Sequence, residues 1–299
     1  MSHRLAQELG RVARDHTSGA AQLALQSVLA VQAWLRRHPR PSEAELEEVA
    51  LRLLRLQSSM APILRLANEV ALAADADEHG RALASRLRAF RRCLEHSRAR
   101  IARHFARNQD HSGRATMATY SFSSTVIGAL SVARSRLAGV LVAESRPEFE
   151  GRLTAERLAR AGISVQYTTD AGLLGLLHTA SVLVIGADAV LSHVFVNKIG
   201  TRAVCLAARD AGLSILLLSD STKFLPEELA APFWRPSEGP AAQIWKRVPR
   251  GVMVRSPLFE HTELAGVRVV TESGILDPTA VREAVDAVLL SPRLKRLAD

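Results

Sequence analysis

Lysine is scarce in this chain. Of 39 basic residues only Lys198, Lys223, Lys246 and Lys295 are lysine, and the rest are arginine. Cysteine is scarcer, with Cys93 and Cys205 alone. Two cysteines without ligand spacing exclude a disulfide framework and a zinc module. Both lie in stretches of helical character, where a reduced, packed role is expected. The ten histidines include no pair at HxxxH or HExxH spacing, so no metal site is expected. No apolar run reaches the roughly 18 residues of a membrane span. The opening MSHRLAQELGRVARD has no apolar secretory core and carries acids, which sets the expectation of a cytoplasmic protein. Neither GxGxxG nor GxxxxGK[ST] occurs, so the dinucleotide and P-loop fingerprints are missing and no cofactor is implied.

What is present is a globular composition, 47% hydrophobic and 23% charged over 299 residues. That length accommodates one large α/β domain or two domains. The formal charge of +9 raises nucleic acid as a partner. The arginines, however, are spread along the whole chain, and no RNP motif, zinc finger or aromatic–basic interleaving accompanies them. A modest positive field of this kind suits small phosphorylated anions better.

Residues 1–110 read as helices only. Ser42 and Glu45 form a capping box behind Pro41, and Leu46, Val49, Leu53 and Leu56 follow on one face. A longer helix is expected over about 80–107. Its apolar face is Leu83, Leu87, Phe90, Leu94, Ile101 and Phe105, with Ser97 filling the gap. Nine arginines share it; a solvated face is the plain reading and a polyanion-binding helix the sharper one.

After NQDHSGR (108–114) the period changes. AGVLVAES, ISVQYTTD, SVLVIGAD and LSILLLSD are short apolar runs separated by helical stretches near 150–161, 171–179 and 199–212. This βαβ alternation predicts a doubly wound parallel sheet from 111 to 299, behind a helical domain over 1–110. Its strands end on polar groups: Glu144-Ser145-Arg146, Asp170, Asp188 and Ser219-Asp220-Ser221. Ligands of such sheets bind outside the carboxyl ends of the strands. Asp188 therefore stands where a binding or catalytic carboxylate would stand, and also where a helix-capping aspartate would. Nearby Asn197-Lys198 favours the former, because a chain that otherwise uses arginine keeps a lysine there.

GADAV…VNKIGT (186–201) resembles a signature of the family that holds the alpha, beta and delta subunits of translation initiation factor 2B. The same family holds ribose-1,5-bisphosphate isomerase and methylthioribose-1-phosphate isomerase. Other segments follow in the family's order: DHTSGAA (15–21), SSMAP (58–62), MATYSFSS (117–124), ESRPEFEGRLTAERL (144–158), SDSTKF (219–224), SPLFE (256–260) and TESGILDP (271–278). The resemblance implies an N-terminal helical domain, a Rossmann-like C-terminal domain and a phosphorylated sugar or nucleotide held between them. It implies association through the Rossmann-like domains into a homodimer or larger even assembly, and a regulatory protein partner.

The resemblance also assigns residues. Asp188 matches the catalytic aspartate of the isomerases, and Asn197 and Lys198 match their sugar-contacting pair. Ser18, Gly19 and Ala20 match the phosphate turn, Gln57 the position before the second landmark, and Arg146 a charged donor. Three features depart from the isomerases. Their catalytic cysteine aligns with Ser121 and the histidine before it with Tyr120. Arginines of the phosphate sites align with Ser18 and Gln57. The stretch between Asp188 and Asn197 is one residue short and lacks a glycine. A serine hydroxyl is a far weaker acid than a thiol, and the initiation-factor subunits share that serine. The resemblance thus implies an initiation factor 2B-like regulatory binder of a sugar phosphate or nucleoside monophosphate. An aldose–ketose isomerase using Asp188, with Ser121 in the cysteine's place, is the alternative.

Overall fold

The change of hydrophobic period near residue 114 divides helix from sheet in the computed structural model, which describes residues 3–14, 19–56, 59–108, 114–234 and 238–294. The helices α1 (His3–Arg14), α2 (Ala20–Arg37), α3 (Glu43–Leu56), α4 (Ala61–Ala74) and α5 (His79–Arg107) come first. Then follow β1 (Ala115–Thr119), α6 (Ser124–Val132), β2 (Leu137–Ala143), α7 (Glu150–Arg160), β3 (Val165–Thr168), α8 (Asp170–Leu176) and β4 (Val182–Gly186). The rest is β5 (Ala189–Val190), β6 (Val194–Lys198), α9 (Thr201–Asp210), β7 (Ser214–Leu218), α10 (Glu227–Phe233), β8 (Phe259–Glu263), β9 (Val267–Val270), β10 (Ile275–Leu276) and α11 (Pro278–Asp286).

The capping box forms as the sequence predicts. Ser42 N–H donates to Glu45 Oε2 at 2.9 Å and Glu45 N–H to Ser42 Oγ at 3.3 Å. Leu46, Val49 and Leu53 behind it are fully buried, while Leu56 packs on Val12, Leu23, Ala24 and Ile63. On α5 the expected stripe is buried, Ser97 included, except for Leu94, which is partly buried. Its arginines are exposed except for Arg86 and Arg91, which are partly buried; they form the solvated face.

The expected single boundary near residue 110 is not the division the chain makes. One unit is Met1–Ser97 with Ser221–Arg235 and Glu283–Asp299; the other is Arg98–Asp220 with Pro236–Arg282. The reason lies in two polar residues, Asn68 and Arg65, of the largely apolar α4. The fully buried Asn68 donates from Nδ2 to Leu289 O at 2.8 Å, and its Oδ1 accepts from Ser291 N–H at 3.0 Å. Arg65 donates to Phe224 O at 2.6 Å. A buried amide and guanidinium need partners, and the helical unit takes them from two later stretches of chain.

In the second unit a seven-stranded sheet has the order β10-β9-β7-β4-β1-β2-β3. All neighbours are parallel except β9 and β10. β4 reads Val182-Leu183-Val184-Ile185-Gly186 and is buried throughout, which explains its unbroken apolar run. β3 lies at the edge and is half exposed, consistent with Gln166 and Tyr167. The chain winds outward from β1 through β2 to β3, then returns to β4 on the other side of β1. The switch point therefore falls between β1 and β4. A second, antiparallel sheet of β5, β6 and β8 was not foreseen. The stretch between Asp188 and Asn197 is its β5–β6 hairpin, not a loop. β5 pairs with β6, and β6 with β8 about sixty residues downstream, and no local signal reports that.

Candidate functional site

The site grows from the switch point. Met117 and Ala118 of β1 lie opposite Val182 and Leu183 of β4. Extending that register places Ser121 level with Gly186, two residues before Asp188. Both residues therefore leave the sheet at its carboxyl edge, where a ligand is expected.

Asp188 starts the hairpin: its N–H donates to Val196 O at 2.8 Å. Ala189 pairs with Val196, so one further step along the ladder sets Asp188 opposite Asn197. The Asp–Asn pair of the sequence is a cross-strand pair. The Asn197 amide serves local structure, donating from Nδ2 to Thr201 Oγ1 at 3.0 Å, while Thr201 Oγ1 donates to Lys198 O at 2.6 Å. These bonds close the turn into α9 through Gly200, whose φ of 96° is costly for any residue with a Cβ. A Cβ there would also lie 2.3 Å from the Tyr120 hydroxyl, which donates to Ile199 O at 2.8 Å.

Lys198 is only 2% exposed. Its Nζ lies 2.6 Å from Glu148 Oε2 and 2.8 Å from Glu150 Oε2, and 5.4 Å from the centre of the Phe259 ring. Ser121 Oγ donates to the same Glu150 Oε2 at 3.1 Å. Burial works against the ammonium, but Glu150 and Glu148 outweigh it and hold the Lys198 pKa above the ordinary lysine value. Burial likewise raises the Glu150 carboxyl, against the pull of Lys198. Burial, and then the charges of Asp170, Glu260, Glu150 and Glu144, push the Tyr120 phenol well up, so it stays a neutral donor.

The backbone around these groups is strained. Ser121, Ser145 and Phe149 have φ of 66°, 60° and 58°, a region that costs non-glycine residues roughly 1–3 kcal/mol each and clusters at functional sites. Interlocking bonds hold it. Asp170 accepts from the N–H groups of Ser145 (2.7 Å) and Arg146 (2.8 Å). Ser145 Oγ accepts from Ser121 N–H at 2.8 Å, and Thr154 donates to Ser121 O at 3.0 Å. Asp170, read from sequence as a strand-end ligand group, is thus engaged in fixing the turn that carries Arg146, Glu148 and Glu150. Arg146 stacks on Phe149 at 4.5 Å.

The structure brings Ser121, Asp188, Asn197, Lys198 and Arg146 to one sheet unit. Gly19 and Ala20 belong to the helical unit, where Gly19 caps α2 through its carbonyl (Gln22 N–H, 2.9 Å). Ser18 and Gln57 lie outside the described residues. Glu148 and Glu150 were passed over in the sequence, although both lie within the segment that carried the resemblance. Of the two cysteines, Cys93 belongs to the helical unit, and Cys205 is buried on α9, its thiol pushed up to about 12 by that burial. Among the described residues no group of three or more His, Cys, Asp or Glu is arranged to hold a metal.

A model of the Initiation factor 2 subunit family matches residues 1–278. The chain belongs to this family. A putative translation initiation factor eIF-2B subunit 2-like protein of Pyrococcus horikoshii is 28% identical over 287 residues, 93% of this chain and 98% of that one. The ribose 1,5-bisphosphate isomerase of Archaeoglobus fulgidus is 30% identical over 169 residues, so the match spans about half of each (54% and 54%). Among solved structures, the translation initiation factor eIF-2B of P. horikoshii OT3 superposes with a TM-score of 0.74 at 26% identity, covering 93% of this chain and 98% of its own. The 5-methylthioribose 1-phosphate isomerase of the same source gives 0.67 at 15% identity, over 95% of this chain and 86% of its own, and shows the shared fold. Family membership thus embraces both initiation-factor-like proteins and sugar-phosphate isomerases.

Proposed function

We propose that this chain is an initiation factor 2B-like regulatory protein that binds a phosphorylated sugar or a nucleoside monophosphate at the switch point without converting it. The observation that carries this is Ser121 Oγ, bound at 3.1 Å to a carboxylate that also faces Lys198. Aldose–ketose isomerisation needs an acid and a base with pKa values near the working pH. A serine hydroxyl beside a carboxylate is further from that range than a free one. Asp188 stands at the carboxyl edge of the sheet, where the proposed ligand would lie, and the hydroxyl-rich end of a sugar suits the Glu148, Glu150 and Asn197 acceptors. The near full-length match to an initiation-factor-like protein points the same way.

The second reading is an aldose–ketose phosphate isomerase with Asp188 as acid/base. The half-buried Asp188 opposite Asn197 and the 30% identity to an isomerase over half the chain favour it. In either reading the chain works as a homo-oligomer, and the regulatory reading adds a protein partner. No described helix is long and apolar enough to cross a membrane.

Calorimetry with ribose 5-phosphate and nucleoside monophosphates tests binding. Affinity should fall about tenfold or more in Arg146→Ala and weaken as salt rises. No heat with any of these phosphates would sink the reading. Light scattering should report at least a dimer of the 32.5 kDa chain; a monomer at micromolar concentration rejects the oligomer.

A further inference from the structure

Residues 239–258, GPAAQIWKRVPRGVMVRSPL, contain no acid and four cations. Their two ends are tied together: Gly239 N–H donates to Ser256 O at 2.7 Å, Glu238 bridges Pro257, and Arg255 Nε donates to Glu238 Oε1 at 3.0 Å. The loop is thus closed at its base. It touches the site twice. Leu258 O accepts from Ile199 N–H at 2.9 Å, next to Lys198, and Gln243 O accepts from Arg146 Nη2 at 3.3 Å.

Lys246, Arg247 and Arg250 follow Gln243 closely. Three residues span at most about 11 Å even when extended, so Lys246 stands no further than that along the chain from Gln243, whose carbonyl holds Arg146. Among the described residues, none of these three cations forms an ion pair. The loop also holds Ile244, Trp245, Val248, Val252 and Met253, five of the twelve exposed large apolar side chains among the described residues. Such a concentration marks a surface that gets covered. Carboxylates crowd Lys198 in the site this loop borders, whereas the loop itself carries cations and no acid.

We infer that this loop supplies the phosphate grip of the site, with Lys246, Arg247 and Arg250 joining Arg146 on the phosphate, and that it folds onto the bound ligand, covering its own apolar side chains. The inference rests on the reading of the site as one for a phosphorylated metabolite. The ligand it fits carries one phosphate at the loop end and hydroxyls at the Glu148–Glu150 end.

The test uses the full chain, ribose 5-phosphate, AMP and unphosphorylated ribose. The triple variant Lys246→Ala/Arg247→Ala/Arg250→Ala should bind both phosphates about tenfold or more weakly and treat ribose as the wild type does. Acrylamide quenching of tryptophan emission should fall when ribose 5-phosphate binds the wild type, and should not fall in Trp245→Phe or in the triple variant. Circular dichroism confirms that the variants fold. If Arg146→Ala loses affinity while the triple variant keeps it, the loop has no part in the grip and the inference is overturned, with the binding reading intact. If Trp245 is already protected without ligand, in a concentration-dependent way, a second copy covers it and closure is refuted. If no phosphate binds the wild type, the underlying reading fails as well.

Discussion

Replacing Lys198 by Met keeps the length of the side chain and removes its charge. Glu148 and Glu150 would then share one point, 2.6 and 2.8 Å from the vanished ammonium, with Glu150 already raised by burial. Deleting one member of a buried ion pair typically costs about 3–5 kcal/mol, because the partner stays buried and unpaired. The pH dependence carries the diagnosis. A carboxyl group whose folded pKa is raised above its unfolded value favours the fold below the unfolded value, here 4.5. That contribution is lost as pH rises through the folded pKa. Without Lys198 the Glu150 pKa rises further, so the deficit should be small near about pH 5 and full near about pH 8. Urea denaturation measures it; a loss of about 3 kcal/mol moves the midpoint by about 1 M. Adding Glu150→Gln to the variant should recover most of the loss, since an amide still bonds Ser121. A deficit under about 1 kcal/mol at the higher pH, or one equal at both, would refute the picture of a buried Lys198 holding two carboxylates.

Gly151 follows Glu150, and a Cβ there would lie 1.7 Å from Ala143 O and 2.8 Å from Ala143 C. Backbone cannot yield as a side chain does, so Gly151→Ala should lose about 3 kcal/mol or more and weaken phosphate binding with it; a melting temperature equal to wild type contradicts the packing of this turn. Ser121→Cys should yield no isomerase activity. A thiol beside Glu150 stays protonated, so its alkylation rate should rise only above about pH 8.5, and a reactive thiolate near neutral pH would show that Glu150 is not where it is described.

Much of the fold was written in local patterns. The capping box at Ser42–Glu45, the stripe on α5 and the apolar runs of β2, β4 and β7 each report their own element. The discontinuous helical unit was not legible, because Asn68 and Arg65 find their partners more than 150 residues away and look in sequence like tolerated polar residues in a helix. The second sheet was hidden for the same reason: Val194-Phe195-Val196 becomes the middle strand of a sheet only when β8, more than sixty residues on, joins the β5–β6 hairpin. At the site, Asp188, Asn197 and Lys198 were visible through position and the rarity of lysine. Glu148 and Glu150 were not, since nothing in their spacing announces a lysine fifty residues on. The strain at Ser121 and Ser145 is invisible by nature, because serine gives no warning of a positive φ.

On this reading the protein binds its ligand without turnover. Solvent deuterium exchange into a sugar phosphate held by the wild-type protein, followed by NMR, tests it most directly, with ribose 1,5-bisphosphate and methylthioribose 1-phosphate as probes. Proton abstraction next to a carbonyl leaves a label even when the full isomerisation is crippled. Exchange should run at the buffer rate in wild type and in Ser121→Cys, with Asp188→Asn changing affinity alone. Exchange above the buffer rate that disappears in Asp188→Asn would contradict it and make Asp188 the acid/base of an isomerase.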